Sequence, residues 1–271
     1  MEYRIGVVSK LLGISAEGLR LYEREGILNS RREEGGGYRL YGHLDITALM
    51  RARSYHNSGF SLKETEYLIN TSDVKGVLES YRKRQEDLEQ EIAVKQKMLE
   101  YMKEIHSLSE RIAADLWCIR KEKRPEMYRF EFMDGDRLII GPEKYEEFQT
   151  WVNLAPFAFP AQRNDWKAVL NGEDHSISAL GIFGKDAEFL GIGEREGIVR
   201  HPPCECLYTV VKLEGEEALS YQYLNHLVEY VKNNHIHVVG DPIARTFLSM
   251  NKRENYTRYR QIWVPVEESF I

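Results

Sequence analysis

Ile5-Gly6-Val7-Val8-Ser9-Lys10-Leu11-Leu12-Gly13-Ile14-Ser15-Ala16-Glu17-Gly18-Leu19-Arg20-Leu21-Tyr22-Glu23 carries the pattern that decides the N-terminal fold. Val7, Val8, Leu11 and Leu12 share one helical face, and Gly13 stops that helix. Ser15 caps a second helix, in which Leu19, Tyr22 and Glu23 follow at helical spacing. Two helices joined by a turn of about three residues make a helix-turn-helix. Downstream, Arg31-Arg32-Glu33-Glu34-Gly35-Gly36-Gly37-Tyr38-Arg39-Leu40-Tyr41 places a triple glycine at a hairpin tip. Its return strand alternates Tyr38 and Leu40 with Arg39 and Tyr41, which reads as a wing.

Outward from this module, Leu44, Ile46, Leu49 and Met50 mark a third helix, and Ser61 with Glu64 forms a capping box that opens a fourth. From Val74 to Ile119 there is no Pro and, after Gly76, no Gly. Leu78, Tyr81, Gln85, Leu88, Ile92, Lys95, Leu99 and Met102 recur by threes and fours; Ile105, Leu108, Ile112, Leu116 and Ile119 continue in a shifted phase. Some forty residues of helix make a rod of roughly 65 Å, whose single apolar stripe calls for a partner helix. Lys121-Glu122-Lys123-Arg124-Pro125 reads as a boundary, ended by the first proline of the chain. Beyond it lie 20 of the 30 aromatic residues. Strands are expected near 128–132, 137–140, 204–211 and 259–264, and helices near 143–152 and 218–233, an α+β arrangement with antiparallel strands.

With 271 residues the chain is too long for one ordinary core. We expect a winged helix-turn-helix over 1–73, a dimerisation coiled-coil helix over 74–120 and an α+β ligand-binding domain over 125–271. Hydrophobic residues make up 42% and charged residues 30%, and no apolar run nears the roughly 20 residues of a membrane span. Met1-Glu2-Tyr3-Arg4-Ile5 lacks the order of a secretory signal, and three cysteines are too few for a disulfide framework, so a cytoplasmic location is expected. The net charge of −6 conceals an asymmetry: residues 1–60 hold 9 Lys/Arg against 7 Asp/Glu, and the remainder 28 against 36. A histone-like binder is excluded; a local basic module that holds phosphates is not.

Ile5-Gly6-Val7-Val8-Ser9-Lys10, Leu19-Arg20-Leu21-Tyr22-Glu23, Gly37-Tyr38-Arg39-Leu40-Tyr41 and Gly59-Phe60-Ser61-Leu62-Lys63-Glu64, in this order, resemble the MerR family of transcription regulators. The long helix stands where that family has an antiparallel dimerisation coil, and the C-terminal part resembles a GyrI-like effector domain ending in Ile262-Trp263-Val264-Pro265-Val266. The resemblance implies a homodimeric activator that binds double-stranded promoter DNA across an overlong spacer. It distorts that DNA for RNA polymerase when a small compound binds, with multidrug or efflux genes under its control. DNA contacts are expected at Arg4, Ser15, Arg20, Tyr22, Tyr38, Arg39, Tyr41 and Lys63; for Tyr22 and Tyr41, packing in the small core is the other reading.

Tyr145, Phe148, Trp151, Phe157, Phe159 and Trp166 crowd about twenty residues, and Tyr259, Gln261 and Trp263 share one strand face by the two-residue period. An aromatic or lipophilic ligand, neutral or cationic, is expected against Tyr145, Phe148, Trp151, Phe157, Phe159, Tyr208, Tyr259 and Trp263. Glu147 and Glu205 are the candidate acids, since Asp241-Pro242-Ile243-Ala244-Arg245-Thr246 offers no carboxylate where cation-sensing relatives bury one. No cofactor and no metal are expected. Two other readings stand beside this one. Cys204-x-Cys206, with Cys118, His235 and His237, points to a thiol or metal sensor, and Glu205 near Tyr208 to a GyrI-like hydrolase.

Overall fold

The computed structural model describes residues 1–28, 30–32, 37–215, 220–252 and 255–267. Two compact units divide it, Met1–Gln96 and Lys97–Ile271, each with its own core.

The N-terminal unit begins with β1 (Tyr3–Arg4), α1 (Ile5–Leu12) and α2 (Ala16–Arg24), continues through β2 (Arg31–Arg32), β3 (Arg39–Tyr41), α3 (His43–Asn57) and α4 (Leu62–Asn70), and takes in the start of α5 (Val74–Asp115). Gly13 ends α1 in the left-handed conformation at φ 62°, its N–H donating to the Ser9 carbonyl. Ser15 caps α2, its Oγ accepting from the Gly18 N–H at 3.0 Å. A Cβ on Gly18 would lie 3.0 Å from Ile14 and 3.3 Å from the Ser15 Oγ, so this glycine clears room for the cap. The box at Ser61 forms in both directions, at 2.8 and 3.3 Å. Strand order is β1-β3-β2, all antiparallel. The expected hairpin tip at Gly35 and Gly36 lies outside the described residues. Val8, Leu19, Tyr41, Leu49 and Ala52 are fully buried and form the small core.

Helix α5 ends five residues before the expected 120, because Trp117 turns to φ 61° and its N–H donates to the Val210 carbonyl at 2.8 Å. The expected linker is a strand: β4 (Arg120–Arg124) pairs with β10 (Cys204–Glu214). Its Arg-Lys-Glu-Lys-Arg sequence hides it, since this end strand carries charge where period-two apolar residues would otherwise reveal one. The other strands are β5 (Met127–Asp134), β6 (Arg137–Leu138), β7 (Phe159–Asn164), β8 (Ser176–Phe183), β9 (Ile198–His201), β11 (Ile243–Lys252) and β12 (Asn255–Pro265). The described strands form one antiparallel sheet in the order β4-β10-β12-β11-β7-β8-β5-β6, with β9 also on β5.

Helices α6 (Tyr145–Asn153), α7 (Trp166–Asn171), α8 (Gly184–Ala187) and α9 (Asn225–Asn233) complete the C-terminal unit. Expected residues 218 and 219 of the last helix lie outside the described residues, and a single 3-10 turn at Tyr221–Leu224 precedes α9. Along β10 and β12 successive residues enter different cores. Leu207, Val211, Ile262 and Val264 meet α7 and α9, whereas Cys206, Tyr208, Val210 and Trp263 meet Ile105, Leu108, Ile112 and Leu116 of α5 and its end. Hence the phase shift at Ile105: the stripe beyond it is consumed by the chain's own sheet, while Leu78, Leu88, Ile92, Leu99 and Met102 remain exposed. The coil expected over 74–120 therefore has only its first part available for a partner.

Candidate functional site

In the N-terminal unit, Arg20 and Arg24 stand on the outer side of α2 and both reach Glu17, at 3.1 and 3.4 Å. Those pairs are exposed, so they are worth little and leave both guanidiniums available to phosphate. Arg4 lies 4.7 Å from the centroid of the exposed Tyr38 ring, so the structure brings these two residues together beside the hairpin. Lys63 is exposed in the first turn of α4. Ser15 spends its hydroxyl on the helix cap, and Tyr22 is half-buried against the core. Tyr41 corrects an expectation: it is fully buried and its hydroxyl donates to Glu23 at 2.9 Å, so it braces the hairpin from inside and does not present itself to DNA. Glu23 also accepts from Ser30 Oγ and from Arg39 Nε, joining α2 to the wing strand.

In the C-terminal unit the expected ligand residues separate. Trp151 is fully buried with Phe130 and Ile182 beneath α6, and Phe148 packs against the same cluster; neither shares a core with Trp263. Trp151 and Trp263, both expected against one ligand, therefore serve separate cores. Tyr145 is exposed on α6, and Glu147 is held by Arg195 at 3.0 Å and Lys144 at 3.5 Å. Glu205 alternates with Cys204, Cys206 and Tyr208 along β10, so it stands on the strand face away from the aromatic cluster. The second group does converge. Phe159, Tyr208 and Trp263 line one core with Tyr259 packed against it, and the Gln261 side-chain amide donates to the Tyr208 hydroxyl at 3.1 Å. Phe157 approaches Tyr101 of α5, ring centroids 6.5 Å apart.

A buried ion pair occupies this aromatic face. The Arg245 guanidinium, 2% exposed, lies 4.7 Å from the Phe159 centroid and 4.8 Å from that of Phe183, and donates to Gln261 at 3.2 Å and to Glu104 of α5. Lys185 donates to the same carboxylate, and Lys97 meets Asp186 at 3.2 Å. Burial pushes the Glu104 carboxyl up, but Arg245 and Lys185 together hold it below the 4.5 of a free glutamate side chain. A lowered folded-state value means a stabilising contribution that is present above about pH 4.5 and lost as pH falls through the folded value. Glu104→Gln should consequently lower stability at neutral pH and flatten the acid limb of the stability curve, measured by urea unfolding from pH 3 to 7. An unchanged acid limb would show that this pair does not hold α5 to the sheet.

Cys204 and Cys206 bring their sulfurs within 3.6 Å on one face of β10, while Cys118 is exposed elsewhere. The hydrogen bond from Cys206 lowers the Cys204 thiol to about 6, against the opposing effect of burial, and the same contact raises Cys206. His237 pairs with Glu267 at 2.6 Å. Among the described residues no three His, Cys, Asp or Glu side chains gather as a metal site would require, and no helix is long and apolar enough to cross a membrane.

The MerR HTH family regulatory protein model matches residues 3–71. The HTH-type transcriptional regulator HmrR of Sinorhizobium medicae is 31% identical over 111 residues, covering 38% of this chain and 74% of that protein. This chain belongs to the MerR family. A mercuric resistance operon regulatory protein of Serratia marcescens is 36% identical over 69 residues, 26% of this chain and 48% of that protein. The chain thus spans about half the length of the mercuric resistance regulators it matches. A chain in a cryo-EM structure of an EcmrR–DNA complex aligns over 98% of this chain and 99% of its own length at 17% identity, with a TM-score of 0.38. In this MerR protein Arg31 and Arg32, both exposed on β2 of the wing, and Glu23 and Arg245 as organising charges are additional to the residues expected from the sequence. The dibasic run at 31–32 was a visible signal; the partners of Glu23 and Arg245 lie too far along the chain to show one.

Proposed function

We propose that the protein is a ligand-responsive DNA-binding transcription regulator that acts as a homodimer on promoter DNA. The observation that carries this is the N-terminal unit itself. A Ser15-capped α2 exposes Arg20 and Arg24, and Glu23 ties it through Arg39 of β3 to a wing whose neighbouring strand β2 carries Arg31 and Arg32. Such an array fits phosphates on both sides of a groove. The exposed stripe Leu78, Leu88, Ile92, Leu99 and Met102 supports self-pairing of α5. As in the family's activators, the dimer would distort an overlong spacer for RNA polymerase, at a bending cost of about 1–6 kcal/mol. The C-terminal unit is read as a GyrI-like effector domain and is assigned no catalysis. Its ligand is an aromatic or lipophilic compound near Phe157, Phe159, Tyr208, Tyr259 and Trp263, and multidrug or efflux genes are the expected targets. A neutral compound fits better than a cation, because the Arg245 guanidinium already stands between Phe159 and Phe183.

Fluorescence anisotropy on a pseudo-palindromic promoter duplex tests this. Arg20→Ala and Arg39→Ala should each weaken binding to all sequences alike and reduce the salt slope by about 1, since phosphate contacts position without specifying. A protein that stays monomeric at micromolar concentration in sedimentation and binds no such duplex would refute the reading. Thiol or metal sensing is the second reading, favoured by the 3.6 Å approach of Cys204 to Cys206 and by the mercuric and heavy-metal names of relatives. Metal content per chain, after purification without added metal, separates the two.

A further inference from the structure

Beyond the Cys204 end of the aromatic core, a cavity of about 480 Å³ opens between the end of β4, the turn from β9 to β10 and the chain leading into β11. Arg124 lines it and is 4% exposed. One terminal nitrogen of its guanidinium donates to the Pro202 carbonyl at 3.0 Å, its Nε has no partner, and among the described residues no carboxylate pairs with it. The neighbouring arginines differ: Arg129 meets Glu131 at 3.0 Å, and Arg163 meets Asp241 at 2.6 Å and Glu131 at 3.5 Å. Three guanidiniums thus share two carboxylates, and the charge left over belongs to Arg124.

A buried cation without a counterion is costly, so the molecule either balances it internally or leaves a place for an external anion. His201 cannot balance it. Burial, then Arg129, Arg124 and Arg163, push its imidazole down to about 3, so it is neutral near pH 7; its Nε2 is unpartnered. Glu131, Arg163 and Asp241 also line the cavity, but their charges are engaged in the pairs just described, and Val199, Val239 and Pro265 supply an apolar stretch of the same wall. Cavities of this size hold small organic molecules oriented by a few polar groups.

We propose that this cavity binds a small organic carboxylate: the carboxylate accepts from the open edge of Arg124, and the hydrocarbon part rests on Val199, Val239 and Pro265. The assignment is independent of the regulator reading and of the aromatic face. Its competitor is internal, because Cys204 also lines the cavity and, as a thiolate near Arg124, would itself supply the missing negative charge.

Calorimetric titration of the full chain with benzoate, butyrate and inorganic phosphate, combined with peptide-resolved iodoacetamide labelling, tests the proposal. Benzoate or butyrate should bind in the millimolar range or tighter, and Arg124→Met should weaken that binding by about tenfold or more. In the unaltered protein the same carboxylates should slow alkylation of Cys204 while leaving the exposed Cys118 unaffected, a readout that survives even if Arg124→Met does not fold. Cys204→Ser should bind at least as well as the parent. Absence of both heat and Cys204 protection would overturn the proposal in favour of the thiolate as counterion. Phosphate protecting as well as benzoate would overturn the organic carboxylate as the ligand class.

Discussion

Replacing Trp263 with alanine is expected to destabilise the C-terminal unit by about 3–5 kcal/mol, read as a lower urea midpoint. Trp263 is 2% exposed at the middle of the sheet, paired across β10 with Tyr208 and across β11 with Ile243. Its ring lies 5.6 Å from that of Tyr208 and meets Phe183 edge-on at 6.3 Å, with the apolar residues of α5 packed on the same cluster. Its neighbours are held in the same packed core, so the cavity left by removing it would be filled only in part. Trp151→Ala should cost a comparable amount, since that side chain is fully buried against Phe130 at 5.7 Å. A selective loss of ligand affinity with an intact fold, the outcome expected for a pocket wall, belongs instead to Tyr259, which is half-buried. If Trp263→Ala unfolds at the parent's midpoint, the packing account of β12 is wrong.

Glu23→Ala should be the most damaging single change in the N-terminal unit. It should cost about 2–3 kcal/mol of stability, in the range of hydrogen bonds to charged groups, and about tenfold or more in DNA affinity. Burial pushes this carboxyl up, yet Ser30, Tyr41 and Arg39 together hold it below the ordinary range. Removing it strands the Tyr41 hydroxyl inside the core and releases Arg39, whose guanidinium this carboxylate holds against α2. Tyr41→Phe deletes one of those donors and keeps the ring, so it should retain most DNA affinity at a smaller stability cost. Were Tyr41→Phe to lose DNA binding as severely as Arg39→Ala, the hydroxyl would be a direct contact after all. Denaturant unfolding and anisotropy on the same three variants decide the matter.

The first seventy residues were largely legible because their signals are local. A cap at Ser15, a stop at Gly13 and a reciprocal box at Ser61 each act within one or two helical turns, whereas of the expected face Val7, Val8, Leu11 and Leu12, Val8 and Leu12 reach the core and Val7 and Leu11 are exposed. Equally local is the face shared by Tyr259, Gln261 and Trp263, which follows from the two-residue period of a strand alone. Even the phase shift at Ile105 was present in the sequence, although its cause was not.

Tertiary structure alone decided what those faces meet. It assigned Ile105, Leu108, Ile112 and Leu116 to the chain's own sheet, turned the charged run 120–124 into an end strand, and separated Trp151 from Trp263. It also set Arg245 against Glu104, 141 residues away, and left Arg124 buried with no carboxylate partner among the described residues. The physical reason is common to all of these. Periodicity states that a side chain will be buried, whereas the identity of its neighbour depends on strand order and register, which are global properties of the sheet. Charge complementarity has no sequence period, so the pairing of Glu104, and the lack of one at Arg124, exists only once distant strands and a helix have been brought together.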